Sequence, residues 1–172
     1  MTPAEYKEFC ESTYACPPGT DREEYLRLLL IEELGEVASL FAKAMRDGVD
    51  VVCEDCGLTS CGQACGHLRI YGPEAVNRDA LLKELGDVMW CAASIWMDVS
   101  FKCTWMEKLN KYQDYTLVAV LNEVTLDTYG MFWAQTLCLF LGFSPEEVAQ
   151  ANVEKLKDRV ARGTIHGGGD ER

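Results

Sequence analysis

Two short stretches carry acids at a spacing that does chemistry. In LLLIEELGEVASLF, residues 28–41, Glu33 and Glu36 stand three apart and Glu32 and Glu36 four apart; in KELGDV, Glu84 and Asp87 again stand three apart. Helix positions three and four apart share a face. Each set sits in an otherwise apolar run, so both faces are expected to turn partly inward. Packing the two helices together would then gather four or five carboxylates. Like charges crowded into a poorly solvated site repel strongly. Hard divalent cations relieve the repulsion, and carboxylate oxygens are the ligands that Mg²⁺ and Mn²⁺ prefer. The plainer alternative is a solvated acidic face with i, i+4 partners. One such pair alone would suit it; two pairs, each flanked by leucine and joined by Gly-acid, favour a metal site on Glu33, Glu36, Glu84 and Asp87.

A second set could meet phosphate. Asn152, Lys155 and Arg159 recur at three and four, forming a polar stripe beside an apolar one of Ala149, Leu156 and Val160. Lysine and arginine suit phosphate oxygens, and a guanidinium can grip two at once. The alternative is a basic helix end favoured by the helix dipole. A third set is VVCEDCGLTSCGQACGH, with thiols at Cys53, Cys56, Cys61 and Cys65. Its spacing is close to a zinc knuckle and would make a closed structural Zn²⁺ site, against the alternative of a loop with free thiols. The acids Glu54 and Asp55 and the lack of lysine argue against nucleic-acid contact by that loop. Cys10, Cys16, Cys91, Cys103 and Cys138 lack paired spacing and are given no chemistry.

The elements that must position these groups are helical. Thr2-Pro3-Ala4-Glu5 is a capping box with proline in the first turn, and the helix it opens should stop before Pro17-Pro18. Thr20 and Glu23 repeat the box spacing. A 3.6-residue period then runs through Leu26, Leu29, Leu30, Leu34, Val37, Leu40 and Phe41 and ends at Gly48. A third helix is expected from Asn77 or Asp79, and Ser144 caps a last one that ends at Gly163. Residues 99–143 read as one or two further helices, with Asp114 a plausible cap. No alternating pattern is long enough to build a sheet, so the expected class is all-α. We expect one domain over residues 1–172, with a Cys-rich insertion at 49–76, a helical insertion at 99–136 and a glycine-rich tail at 163–172.

Composition sets limits. The 172 residues carry a net charge of -12, with 48% hydrophobic and 26% charged residues. Such acidity opposes a broad nucleic-acid surface, because duplex binding rests on Lys and Arg neutralising phosphate. It leaves room for a phosphate-bearing small molecule reached through divalent cations. The opening MTPAEYKEFCE lacks the pattern of a secretory signal, and TYGMFWAQTLCLFLGF is short for a membrane span. Nine cysteines then imply reduced thiols in the cytosol rather than a disulfide framework.

EELGE followed by KELGD resembles the EExxE and ExxD signature of the MazG-like, all-α nucleoside triphosphate pyrophosphohydrolases of phage and bacterial type. ESTY, ALLKELGDVMW, SPEEVAQANVEKLKDR and RGTIHGGGDER also look like segments of that family, in the family's order, and together they cover more than half the chain. The resemblance implies a helical bundle completed as a homodimer or homotetramer, with Mg²⁺ or Mn²⁺ on Glu33, Glu36, Glu84 and Asp87. It implies hydrolysis of a nucleoside triphosphate to monophosphate and pyrophosphate. Glu32 is the candidate for orienting or deprotonating water, and Lys155 and Arg159 for stabilising the reacting phosphates. Asn152 and Arg172 are expected near substrate. Trp90, three residues after Asp87, is the aromatic best placed to stack on a base, ahead of Trp96, Tyr14 and Phe41, and the closing segment points to a purine, (d)GTP. Three rivals stand beside this reading: a helical scaffold whose acids merely bind cations, a zinc-dependent nucleic-acid module, and a same-fold hydrolase of another pyrophosphate or of pyrimidine nucleotides.

Overall fold

Local signals set most helix ends. In the computed structural model, which describes residues 1–47, 76–95, 105–107, 117–126 and 130–164, Thr2 caps α1 (Pro3–Thr13). Its hydroxyl accepts from the Glu5 amide while the Glu5 carboxylate accepts from the Thr2 amide, so two otherwise orphaned donors are satisfied reciprocally. The next cap falls on Asp21 and not on Thr20. Gly19 sits at φ 80, and the Thr20 amide is spent on the Pro17 carbonyl at 3.2 Å. Thr20 therefore still belongs to the turn, and Asp21 takes the Glu24 amide at 2.8 Å to open α2 (Arg22–Arg46). The Asn77 carboxamide accepts from the Ala80 amide and starts α3 (Arg78–Ile95). Residues 117–143 contain two helices, α4 (Leu117–Leu126) and α5 (Gly130–Phe140). Ser144 caps α6 (Pro145–Ala161), whose chain leaves through Gly163 at φ 68, a left-handed conformation that glycine adopts without strain.

Among the described residues there are six helices and no strand, so the fold is all-α. Helix α3 is the hub. It lies against α2 and α6, and α1 and α5 also touch it. Leu30, Leu34, Val37 and Phe41 of α2 meet Leu81, Leu85, Val88, Met89 and Ala92 of α3 in one buried cluster, to which α5 and α6 add Leu137, Val148 and Val153. Phe41 is thus core and not a platform for a base. At the α3–α6 crossing Gly86 has a steric role: a Cβ there would lie 3.0 Å from Asn152 Cβ. The apolar stripe of α6 runs through Val148, Ala149, Val153 and Leu156, while Val160 is exposed. No helix among the described residues is long and apolar enough to cross a membrane. Cys53, Cys56, Cys61 and Cys65, together with Trp96, Asp114 and Arg172, lie outside the described residues.

Candidate metal centre

Helix α2 presents Glu33 and helix α3 presents Glu84 and Asp87, and the three side chains offer oxygens that all lie within 4.8 Å of one another. The reason is the periodicity of both helices. Leu30, Leu34 and Val37 bury one edge of α2 in the core, which leaves Glu33 and Glu36 half-buried at its margin. Leu81, Leu85 and Val88 do the same for α3 and leave Glu84 and Asp87 facing them. Glu36 joins as a neighbour close enough to help push the Glu84 carboxyl up. Glu32 does not join them: one residue is a rotation of about 100° on a helix, and Glu32 is exposed.

The crowding shows in the acidities. Burial, and then the Asp87, Glu36 and Glu84 carboxylates, push Glu33 up to about 8, against the opposing pull of the Lys155 ammonium. Burial, followed by Glu36 and Asp87, pushes Glu84 up to about 7, with Lys155 again opposing. Both acids are pushed toward holding protons near neutral pH because ionising them would add charge to a half-buried group of like sign.

Helix α6 supplies the counterweight. Lys155 Nζ lies 2.5 Å from Asp87 Oδ2, and Asn152 Nδ2 donates to Asp87 Oδ1 at 3.2 Å. Lys155 and Asp87 are both mostly buried, at 16% and 18% side-chain exposure, so this ion pair is shielded from the solvent that weakens surface pairs. Asn152 is itself buried, and its carbonyl accepts from the Tyr6 hydroxyl at 3.0 Å. Its amide is therefore engaged at both ends by the protein, where the spacing on α6 had suggested contact with substrate. Arg159 follows Lys155 by one turn and is half-buried.

Trp90 is also committed. Its ring stacks on Tyr14 at 6.1 Å between centroids and an interplanar angle of 27°, and its Nε1 donates to Thr13 Oγ1 at 3.0 Å. The Arg22 guanidinium covers the Tyr14 ring at 4.7 Å. These contacts tie the end of α1 to α3 beside the acids. Two residues that reasoning on the sequence did not single out, Tyr6 and Gly86, bear directly on the site. Gly86 was visible as the glycine of KELGD; Tyr6 had no signal beyond its place on a helix.

The donor set suits a hard cation. It consists of carboxylate oxygens from two rigid helices, and the octahedral oxygens around Mg²⁺, at about 2.0–2.1 Å from the ion, stand about 3–4 Å apart. The cysteines near the acids are not competing ligands. Cys91 is buried, and burial together with Glu33 and Asp87 holds its thiol well above the usual range; Cys10 is pushed up to about 12 by burial. No protein-family model matches the chain, and no curated protein or solved structure does either.

Proposed function

We propose that the chain hydrolyses a nucleoside triphosphate to the monophosphate and pyrophosphate, using a divalent cation on Glu33, Glu84 and Asp87 with Glu36 beside them. The observation that carries this reading is the convergence of acids from α2 and α3, with two of them shifted toward protonation near neutral pH, next to a lysine from α6. The family likeness of EELGE, KELGD and NVEKLKDR supports the substrate class. When bound, Mg²⁺ or Mn²⁺ supplies charge neutralisation and Lewis-acid polarisation. The chain's own groups do the rest. Glu33, Glu84 and Asp87 would hold the cation with Glu36 beside them, and Lys155 and Arg159 would offer positive charge to the phosphates. Glu32, exposed and turned about 100° from Glu33 on α2, stands outside the ligand set and keeps only the role of accepting a proton from water at the rim of the site. A purine nucleotide, (d)GTP, is the first substrate to try, and zinc on Cys53, Cys56, Cys61 and Cys65 would be structural. Leu28, Ile31 and Met45, more than half exposed along α2, favour assembly as a homodimer or homotetramer.

One observation favours a non-catalytic reading: Lys155 already pairs with Asp87, so the acids are partly compensated without any cation. Incubation with Mg²⁺ and each common NTP and dNTP, followed by separation of mono-, di- and triphosphates, separates the two readings. Catalysis predicts monophosphate and pyrophosphate, and loss of turnover in Glu36→Gln and Asp87→Asn with helical content preserved. Full activity in either variant, or no product from any nucleotide, refutes it.

A further inference from the structure

We propose that Tyr6, on a helix that contributes no charge to the acid cluster, is a positioning residue for it: through Asn152 it sets the orientation of the Asp87 carboxylate. The inference rests on the metal-site reading for its consequence, but the Tyr6–Asn152 link can be measured by itself. A carboxamide has one accepting and one donating end. Tyr6 is 1% exposed and Asn152 is 2% exposed, so neither can turn to water for an alternative partner. The phenolic proton goes to Asn152 Oδ1 at 3.0 Å, and that leaves the NH₂ end facing Asp87 Oδ1 at 3.2 Å. The reversed amide would set two acceptors against each other at Asp87. Lys155 fixes the second carboxylate oxygen. Both Asp87 oxygens are thus engaged by α6, while one Asp87 oxygen lies within 4.8 Å of oxygens of Glu33 and Glu84.

Two further features favour a built device over incidental packing. Gly86 allows Asn152 to stand directly against α3, since a Cβ would meet its side chain at 3.0–3.1 Å. Tyr6 is also a dependable donor: burial holds its hydroxyl well above the usual range, so it keeps its proton near neutral pH. The Cys10 thiol also lies beside this hydroxyl. The arrangement is the carboxylate counterpart of the outer hydrogen bonds that orient metal-binding side chains, whose loss weakens metal affinity by about 10–100-fold.

The test compares full-length wild type with Tyr6→Phe, Asn152→Leu and the double variant. Mn²⁺ affinity is read by calorimetry, and exchange of the Asn152 side-chain amide protons by ¹⁵N NMR without metal. Tyr6→Phe should weaken Mn²⁺ binding at least tenfold and speed the Asn152 amide exchange, and the double variant should bind Mn²⁺ no worse than Asn152→Leu alone. A purely structural Tyr6 would lower Tm while leaving the Mn²⁺ Kd in place, or would add its loss to that of Asn152→Leu; either result overturns the inference. If Tyr6→Phe fails to fold, unchanged Mn²⁺ affinity in Asn152→Leu overturns it, and a weakened one supports it. Wild-type protein that binds no Mn²⁺ sinks the metal reading and this consequence together, whereas normal wild-type binding with an unaffected Tyr6→Phe sinks this inference alone.

Discussion

Cation binding should expel protons, and the amount follows from the acidities. With Glu33 at about 8 and Glu84 at about 7, the cation-free protein at pH 7 holds about 0.9 and about 0.5 of a proton on the two, or about 1.4 in all. At pH 9 the same groups hold about 0.1. The pair titrates as a unit, so the total is the meaningful quantity. A divalent ion displaces these protons, and apparent affinity must therefore rise with pH, by about 20-fold between pH 7 and pH 9. Calorimetric titration of Mn²⁺ in two buffers of different ionisation enthalpy reads the proton count directly. At pH 7 the heats should differ between buffers by more than one proton's worth; at pH 9 they should converge. Identical heats in both buffers at pH 7, with the same Kd at pH 7 and 9, would refute the crowding argument from which the site is built.

Two further outcomes follow from the same geometry. Glu33→Gln removes the most strongly shifted acid without changing its shape, so metal binding should fall while the cation-free protein gains about 1 kcal/mol at pH 8, with solvent screening allowed for, or about 2–4 °C in Tm. The sign is fixed by linkage: a carboxyl raised from 4.5 to about 8 binds more protons folded than unfolded between those values, so wild-type stability falls as pH rises through that window. The variant's advantage should vanish near pH 4, and an advantage that is equal at pH 4 and 8 contradicts it. Gly86→Ala should cost about 1–3 kcal/mol in chemical denaturation because Asn152 must give way. Gly35→Ala, where a Cβ meets nothing within 4 Å, should instead add about 0.5–1 kcal/mol. Equal effects at the two glycines would refute the packing assigned to the α3–α6 crossing.

What could be read from sequence was what a helix converts into geometry. Three-residue spacing places Glu84 with Asp87 because 3.6 residues make a turn, and the flanking leucines show which way that face must lie. Caps at Thr2 and Ser144 were legible for the same reason, since their partners are three residues away. The limits also follow from periodicity. Glu32 is a sequence neighbour of Glu33, yet the helix turns it to solvent. Thr20 had the right spacing to cap, but the turn at Gly19 consumed its amide first. Trp90 shares the face of Asp87 as expected, whereas its stacking partner Tyr14 comes from a different segment. No local rule pairs Tyr6 with Asn152, 146 positions apart, and that pairing is what completes the environment of Asp87.

The placement of Lys155 decides how the site can operate. An acid cluster with no cation of its own would either spread apart or take up protons on most of its members. Here Lys155 neutralises Asp87 directly and lowers the cost of ionising Glu33 and Glu84, yet both stay raised, so one ammonium is insufficient for the whole set. The acids that Lys155 does not satisfy lie between α2 and α3, where Glu33 and Glu84 take up protons near neutral pH instead of staying charged. On the metal-site proposal, a divalent ion entering there would replace those protons and could leave the Lys155–Asp87 pair unbroken. A phosphate drawn to that cation would then meet Lys155 where its pairing with Asp87 already holds it, on the helix that Tyr6 and Asp87 both engage through Asn152.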